Sequence, residues 1–277
     1  MVCRCAQKTK ARGYGFFGLQ FYGECWSGPN AQSRFAMHGP SKKCIMGLAI
    51  PPLYCNRTSP RPCVGVSHTN YIYKIQGAGP TPCSRDLDLA ILLDSSSSIG
   101  QARYKTAKEF LADLLAYTRG SIRGTRIGII VYNQEPHLQV TFNQTAVHTL
   151  GDVIESIRSM PYLRGGTRTD KALHAAAVEL YTQQGGDRDE VANVLLVVTD
   201  GRTSHLSQPY VDALKPLKDR KVHVIAVGVG QGVNKSELLQ IAMGRQDHVV
   251  TVADYKDLYG KLSDIVDNVC DAGRGKR

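Results

Sequence analysis

Four short apolar runs constrain this chain more than any other feature: residues 87–93, 126–132, 191–198 and 222–227. Each has the length of one buried strand and falls far short of the roughly 18 apolar residues that a membrane span needs. Helical spacing fills the intervals. It is clearest at 103–118, where Ala107, Phe110, Leu111, Leu114 and Leu115 share a face, and in a final helix over 254–269 with Tyr255, Leu258, Leu262, Ile265, Val266 and Val269. Further helices are expected at 147–160, 170–181, 211–217 and 235–243, and shorter strands at 137–142 and 248–252. Strands apolar on both faces and alternating with helices predict an α/β fold: a doubly wound, mostly parallel sheet with helices on both faces.

In such sheets ligands meet the carboxyl ends of the strands. Asp94 ends the first apolar run and opens the segment Asp94-Ser95-Ser96-Ser97-Ser98, in which Asp94, Ser96 and Ser98 stand two apart and can converge. Asp200 ends the third run in Thr199-Asp200-Gly201, and Thr167 follows the turn Gly165-Gly166 at the start of a helix. Two carboxylates and three hydroxyls form a hard oxygen set, suited to a divalent cation and short of ligands for it. Asp170 falls in the first turn of the helix after Thr167, where a carboxylate favours the positive end of the dipole. Asp86 and Asp88 precede their strand, lie at the wrong end of the sheet for this chemistry, and are expected to be solvated.

Charge and cysteines divide the chain at Gly77-Ala78-Gly79-Pro80-Thr81-Pro82. Residues 1–82 hold ten Lys and Arg against the single acid Glu24, a balance of +9, whereas 83–277 hold twenty-four bases and twenty-three acids, a balance of +1. The organisation expected is a cysteine-rich module over 1–76, a linker over 77–82, the α/β domain over 83–270 and a basic tail over 271–277. Cys3, Cys5, Cys25, Cys44, Cys55 and Cys63 crowd the first module, and no Cys-x-x-Cys pair exists to build a zinc site. This pattern reads as a small disulfide-rich module of short strands and loops in an oxidising compartment, with fifteen possible pairings open. Its aromatic segment, residues 13–26, is expected to form the core of the module.

The chain is expected to be secreted. Its first residues, MVCRCAQKTK, carry no signal-like apolar run, so it reads as a mature form or a fragment. Asn56, Asn143 and Asn234 are glycosylation candidates by sequon. The basic module makes an acidic polysaccharide a candidate partner; no nucleic acid and no membrane span are expected. No Gly-x-Ser-x-Gly elbow, His-Glu-x-x-His, phosphate loop or dinucleotide fingerprint occurs, so an enzyme is not expected. His205 and His223 read as structural or solvated.

Asp94-x-Ser96-x-Ser98, Thr167 after Gly-Gly, and Asp200 in Thr-Asp-Gly resemble the metal-ion-dependent adhesion site of von Willebrand factor type A domains, over about residues 85–270. The resemblance implies a Rossmann-like fold and a non-enzymatic adhesion or extracellular-matrix protein. Ser96, Ser98 and Thr167 would hold the metal through hydroxyls, with Asp94 and Asp200 acting directly or through water. Mg2+ is the expected ion, with Mn2+ or Ca2+ as alternatives, and an acidic residue of a matrix protein, collagen-like or other, would complete its shell. The alternative is a structural matrix component assembling through metal-independent contacts, its metal only stabilising. Family members in matrix proteins also commonly pair cysteines like Cys83 and Cys270. Such a bond would hold the last helix against sliding and leave affinity fixed.

Overall fold

The central strand of the larger unit is β6 (Leu87–Asp94), buried along its whole length. The computed structural model describes residues 2–10, 14–21, 23–28, 31, 41–46, 54–55, 62–75, 86–119, 124–200, 203–204 and 207–272. They fall into two compact units, 1–80 and 81–277. The expected linker, residues 77–82, and residues 273–277 of the basic tail lie outside the described residues.

In the larger unit, β6 is flanked in parallel by β7 (Arg126–Tyr132) and β9 (Ala192–Thr199). The strands β10 (His223–Val229) and β11 (Val249–Val252) continue the parallel sheet beyond β9, and β8 (Pro136–Val140) closes the opposite edge antiparallel to β7. Helices fill the crossovers: α2 (Gln101–Arg119), α3 (Phe142–Val147), α4 (Leu150–Ser159), α5 (Thr169–Ala175), α6 (Tyr210–Asp219), α7 (Lys235–Ile241) and α8 (Leu262–Ala272). Alternation along β6 feeds two cores. Leu89, Ile91 and Leu93 pack with Phe110, Leu114 and Val269 on one face, while Ala90 and Leu92 pack with Ala172, Leu173 and Leu217 on the other. That division is why the strand reads as continuously apolar.

Three expected elements differ. The helix expected over 147–160 starts only at Leu150, because Thr149 caps α4: its hydroxyl accepts from the Asp152 amide while the Asp152 carboxylate accepts from the Thr149 amide, and a separate short helix, α3, ends at Val147. Thr149→Ala is expected to cost about 1 kcal/mol, read as a lower urea midpoint. The helix expected over 170–181 passes into a π turn at Ala176–Leu180. The final helix is a 3-10 segment, Tyr255–Lys261, followed by α8; both place the same apolar residues inward.

Asp88 corrects the expectation of solvation. It is fully buried, and Arg188 donates to it from Nη2 at 2.6 Å, from Nε at 3.0 Å and from its backbone amide at 2.9 Å. The same guanidinium donates to the carbonyl of Gly124 at 2.6 Å, so the pair fastens the amino-terminal end of the sheet.

The smaller unit begins with a helix, α1 (Val2–Lys10), where only strands and loops were expected. Strand β1 (Phe16–Gln20) pairs with β2 (Glu24–Ser27), β5 (Tyr71–Lys74) and β4 (Cys63–Gly65), and β4 carries β3 (Cys44–Met46). Alternation splits the aromatic segment. Phe17 is buried with Leu19 and Cys5, whereas Trp26 and Phe21 are exposed, so only part of that segment is core. Disulfides join Cys5 to Cys25 and Cys55 to Cys63, while Cys3 and Cys44 are free thiols.

Candidate metal centre

The carboxyl ends of β6 and β9 bring Asp94 and Asp200 to one place, and the loop after β6 folds back between them. Asp94 accepts from the Ser96 amide at 2.8 Å through Oδ1 and from the Thr199 hydroxyl at 2.7 Å through Oδ2. Ser98 donates to Asp200 Oδ1 at 2.9 Å, and its Oγ lies 3.0 Å from that of Ser96. With one proton per hydroxyl, Ser98 accepts from Ser96. Asp94, Ser96, Ser98 and Asp200 thus form one continuous oxygen cluster, running from the buried Asp94 and Ser96 to the exposed Ser98.

Thr167 is buried and enters through its loop. That loop is fastened to the first by four hydrogen bonds: Arg164 N to Ser95 O (2.8 Å), Leu163 N to Ser95 Oγ (2.7 Å), Ser97 N to Gly165 O (3.0 Å) and Gly165 N to Ser97 Oγ (2.9 Å). Asn133 also donates to the Arg164 carbonyl at 2.7 Å, and the Tyr162 hydroxyl donates to the Ser96 carbonyl at 3.0 Å. The turn needs left-handed backbone at Arg164 (φ 62°) and Gly165 (φ 89°); glycine adopts this freely and arginine at a cost. The sequence reading missed Ser95, Ser97, Asn133, Tyr162 and Thr199. The run of four serines held the signal for two of them, since alternate serines point to opposite sides.

Burial pushes the pKa of Asp94 up to about 6, against the lowering effect of its two hydrogen bonds, and the charge of Asp200 raises it further. Burial raises Asp200 too, offset by Ser98 and by Arg103. Among the described residues no basic side chain is one of the groups acting on Asp94. Among the described residues no cluster of three or more His, Cys, Asp or Glu exists, so a metal here would depend on hydroxyls. An all-oxygen donor set around a buried, uncompensated carboxylate fits a hard divalent cation. Beside it a cavity of about 380 Å³ is lined by Asp200, Arg103, Gly230, Asp254 and Tyr255.

The description of the von Willebrand factor type A domain matches residues 88–268. The chain belongs to that family. Bovine vitrin is 27% identical over 191 residues, covering 68% of this chain and 28% of vitrin. Mouse von Willebrand factor A domain-containing protein 1 is 32% identical over 194 residues, covering 67% of this chain and 45% of that protein. Among solved structures, proximal thread matrix protein 1 from the mussel byssus, with a zinc-occupied MIDAS motif, superposes with a TM-score of 0.63 at 26% identity, over 68% of this chain and 49% of its own. This chain therefore spans less than half the length of these relatives.

Other sequence candidates are placed elsewhere. Asp170 does more than meet a helix dipole: Arg168 donates to it twice, at 2.9 and 2.7 Å, and the Gln208 amide at 2.9 Å. His223 is half-buried in β10 with its ring 6.3 Å from that of His248, and His205 lies outside the described residues. Asn143 is exposed and donates from Nδ2 to the Gln184 carbonyl at 2.9 Å. Asn234 caps α7 through Oδ1, and Asn56 lies outside the described residues. Cys270 is disulfide-bonded, and Cys83 lies outside the described residues.

Proposed function

We propose that this chain is a secreted adhesion or extracellular-matrix protein whose type A domain binds a protein ligand through a divalent metal held by Asp94, Ser96, Ser98, Thr167 and Asp200. The observation that carries the reading is the buried, uncompensated Asp94 carboxylate inside a ready-made oxygen cluster. The matrix relatives and the zinc-occupied mussel structure support it. The metal would supply a Lewis-acid position able to accept a carboxylate from the partner. The chain's own part is to orient Asp94 through the Ser96 amide and Thr199 hydroxyl, to hold Ser98 against Asp200, and to leave the outer side open at Ser98. Five donors leave one position of an octahedral shell open, and two carboxylates leave the ion without net negative charge, so a carboxylate from the partner can enter without repulsion from the ion's own shell. Mg2+ is the proposed ion, and a Cys83–Cys270 bond at the end of α8 is proposed to keep that helix in place.

The test is binding of the purified chain to immobilised matrix proteins in Mg2+ and in chelator. Chelation, Asp94→Ala and Thr167→Ala are each expected to weaken binding by more than about tenfold. Binding that survives all three would overturn the reading in favour of metal-independent assembly. Binding lost in high salt but kept in chelator would place the contact on the basic amino-terminal module.

A further inference from the structure

A ladder of hydrogen bonds runs from the backbone of Thr167 to α7, a helix that carries none of the proposed ligands. The carbonyl of Thr167 accepts from the Ser204 amide at 2.8 Å and from the Thr203 hydroxyl at 3.2 Å. The Thr203 hydroxyl also accepts from the Thr169 amide at 3.3 Å and lies 2.7 Å from the Ser207 hydroxyl. The Thr203 amide donates to Glu237 Oε1 at 3.0 Å, and the Tyr210 hydroxyl donates to that same oxygen at 2.6 Å. Residues 203 and 204 follow Asp200 in the chain. The segment leaving one proposed ligand is therefore bonded to the backbone of another, and both are referred to a single carboxylate oxygen.

Glu237 is well placed for this role. Its own amide and that of Ser236 are capped by Asn234 Oδ1, at 3.4 and 3.1 Å, so the first turn of α7 has a fixed start. The helix lies close on β10 because position 228 is glycine: a Cβ there would come within 2.4 Å of the Leu238 side chain and 2.6 Å of Val233. Leu238 and Ile241 are buried beneath it. Burial, reinforced by Glu237, holds the pKa of Tyr210 far above its ordinary value, so its hydroxyl stays protonated and continues to donate.

We infer that Glu237, acting through Thr203, is a positioning residue for the metal centre: it sets where Thr167 stands relative to Asp200. The inference rests on the metal reading above and adds a residue from outside the three site loops. Without an acceptor at position 237, the Thr203 amide loses its bond, and the backbone that carries Thr167 loses its fixed reference. Outer partners of metal ligands typically change affinity by about 10- to 100-fold when removed.

The test is calorimetric titration of the full chain with MgCl2 and with MnCl2, alongside thermal unfolding in chelator. Glu237→Ala is expected to weaken metal binding about tenfold. Glu237→Gln, which keeps an acceptor oxygen, is expected to bind within about twofold of the unmodified chain. Thr203→Val, which keeps the bond to Glu237 but removes the hydroxyl from Thr167, is expected to weaken binding as Glu237→Ala does, and it carries the test if the alanine variant fails to fold. Rescue by glutamine alone separates positioning from a general loss of stability. Unchanged binding in both Glu237→Ala and Thr203→Val overturns the inference while leaving the metal reading intact. No binding by the unmodified chain overturns the metal reading and the inference with it.

Discussion

Arg188→Ala is expected to destabilise the type A domain by about 3–5 kcal/mol, the usual cost of leaving a buried charge without its partner. Asp88 is completely enclosed, and its compensation comes from the Arg188 guanidinium and backbone amide. Burial already raises the pKa of Asp88, with the Arg188 hydrogen bonds and charge as the opposing influences. Removing the guanidinium leaves only the backbone amide of position 188 and the charge of Arg126 to oppose burial, and so raises the folded-state pKa further above the unfolded value. A group whose pKa is raised by folding opposes stability increasingly as pH rises between those two values. The variant should therefore lose more at pH 7 than at pH 4, read as the difference in urea midpoints. Asp88→Asn added to Arg188→Ala should recover part of the loss at pH 7. A loss at pH 4 equal to that at pH 7 would mean that Asp88 carries no charge in the native protein.

The second large effect concerns Asp94 and has the opposite sign from an ordinary core substitution. Its folded pKa of about 6 against a reference of 3.8 makes its ionisation oppose folding by about 3 kcal/mol near neutrality. In chelator this contribution is absent below the lower value, grows between the two and is complete above the higher. Asp94→Asn should thus raise the unfolding temperature in chelator at pH 7.5 and have little effect at pH 4. The amide can accept from the Ser96 amide and donate to the Thr199 hydroxyl, so both hydrogen bonds are kept. Metal should reverse the comparison. At a thousand times its dissociation constant an ion adds about 4.1 kcal/mol to the unmodified chain, more than the asparagine gains, and nothing to a variant that cannot hold it. Thermal scans of both proteins, with chelator and with Mg2+, give the four values needed. An asparagine variant that is less stable in chelator at pH 7.5, or that still responds to Mg2+, would refute this account of Asp94.

The sheet was legible in the sequence because strands buried on both faces leave uninterrupted apolar runs, and Leu89, Ile91 and Leu93 alternate with Ala90 and Leu92 into two cores. Asp94, Ser96 and Ser98 were legible because their spacing matches the period of an extended backbone. What was hidden depends on distance along the chain. Ser95 meets residues 163 and 164, Asn133 meets 164, and Arg188 meets Asp88 a hundred positions away; no local pattern encodes such pairings. The start of α4 was hidden for another reason: it is marked by the reciprocal bonds of Thr149 and Asp152 and not by a change in apolar spacing. Asp88 was misread because its exposure was judged from its position before the apolar run, although it pairs in register with Arg126 on β7 and Asn193 on β9.

The placement of Asp94 also has a mechanical meaning. It is the last residue of a strand paired on both sides along nearly its whole length, with β7 over Asp88–Asp94 and with β9 over residues 87–93. A tensile load applied at that carboxylate along the strand enters two parallel ladders in shear, where many hydrogen bonds resist together and none opens first. Under tension the domain should fail last at its centre, so the weak point of such an attachment is the contact made at the tip of β6 and not the sheet behind it.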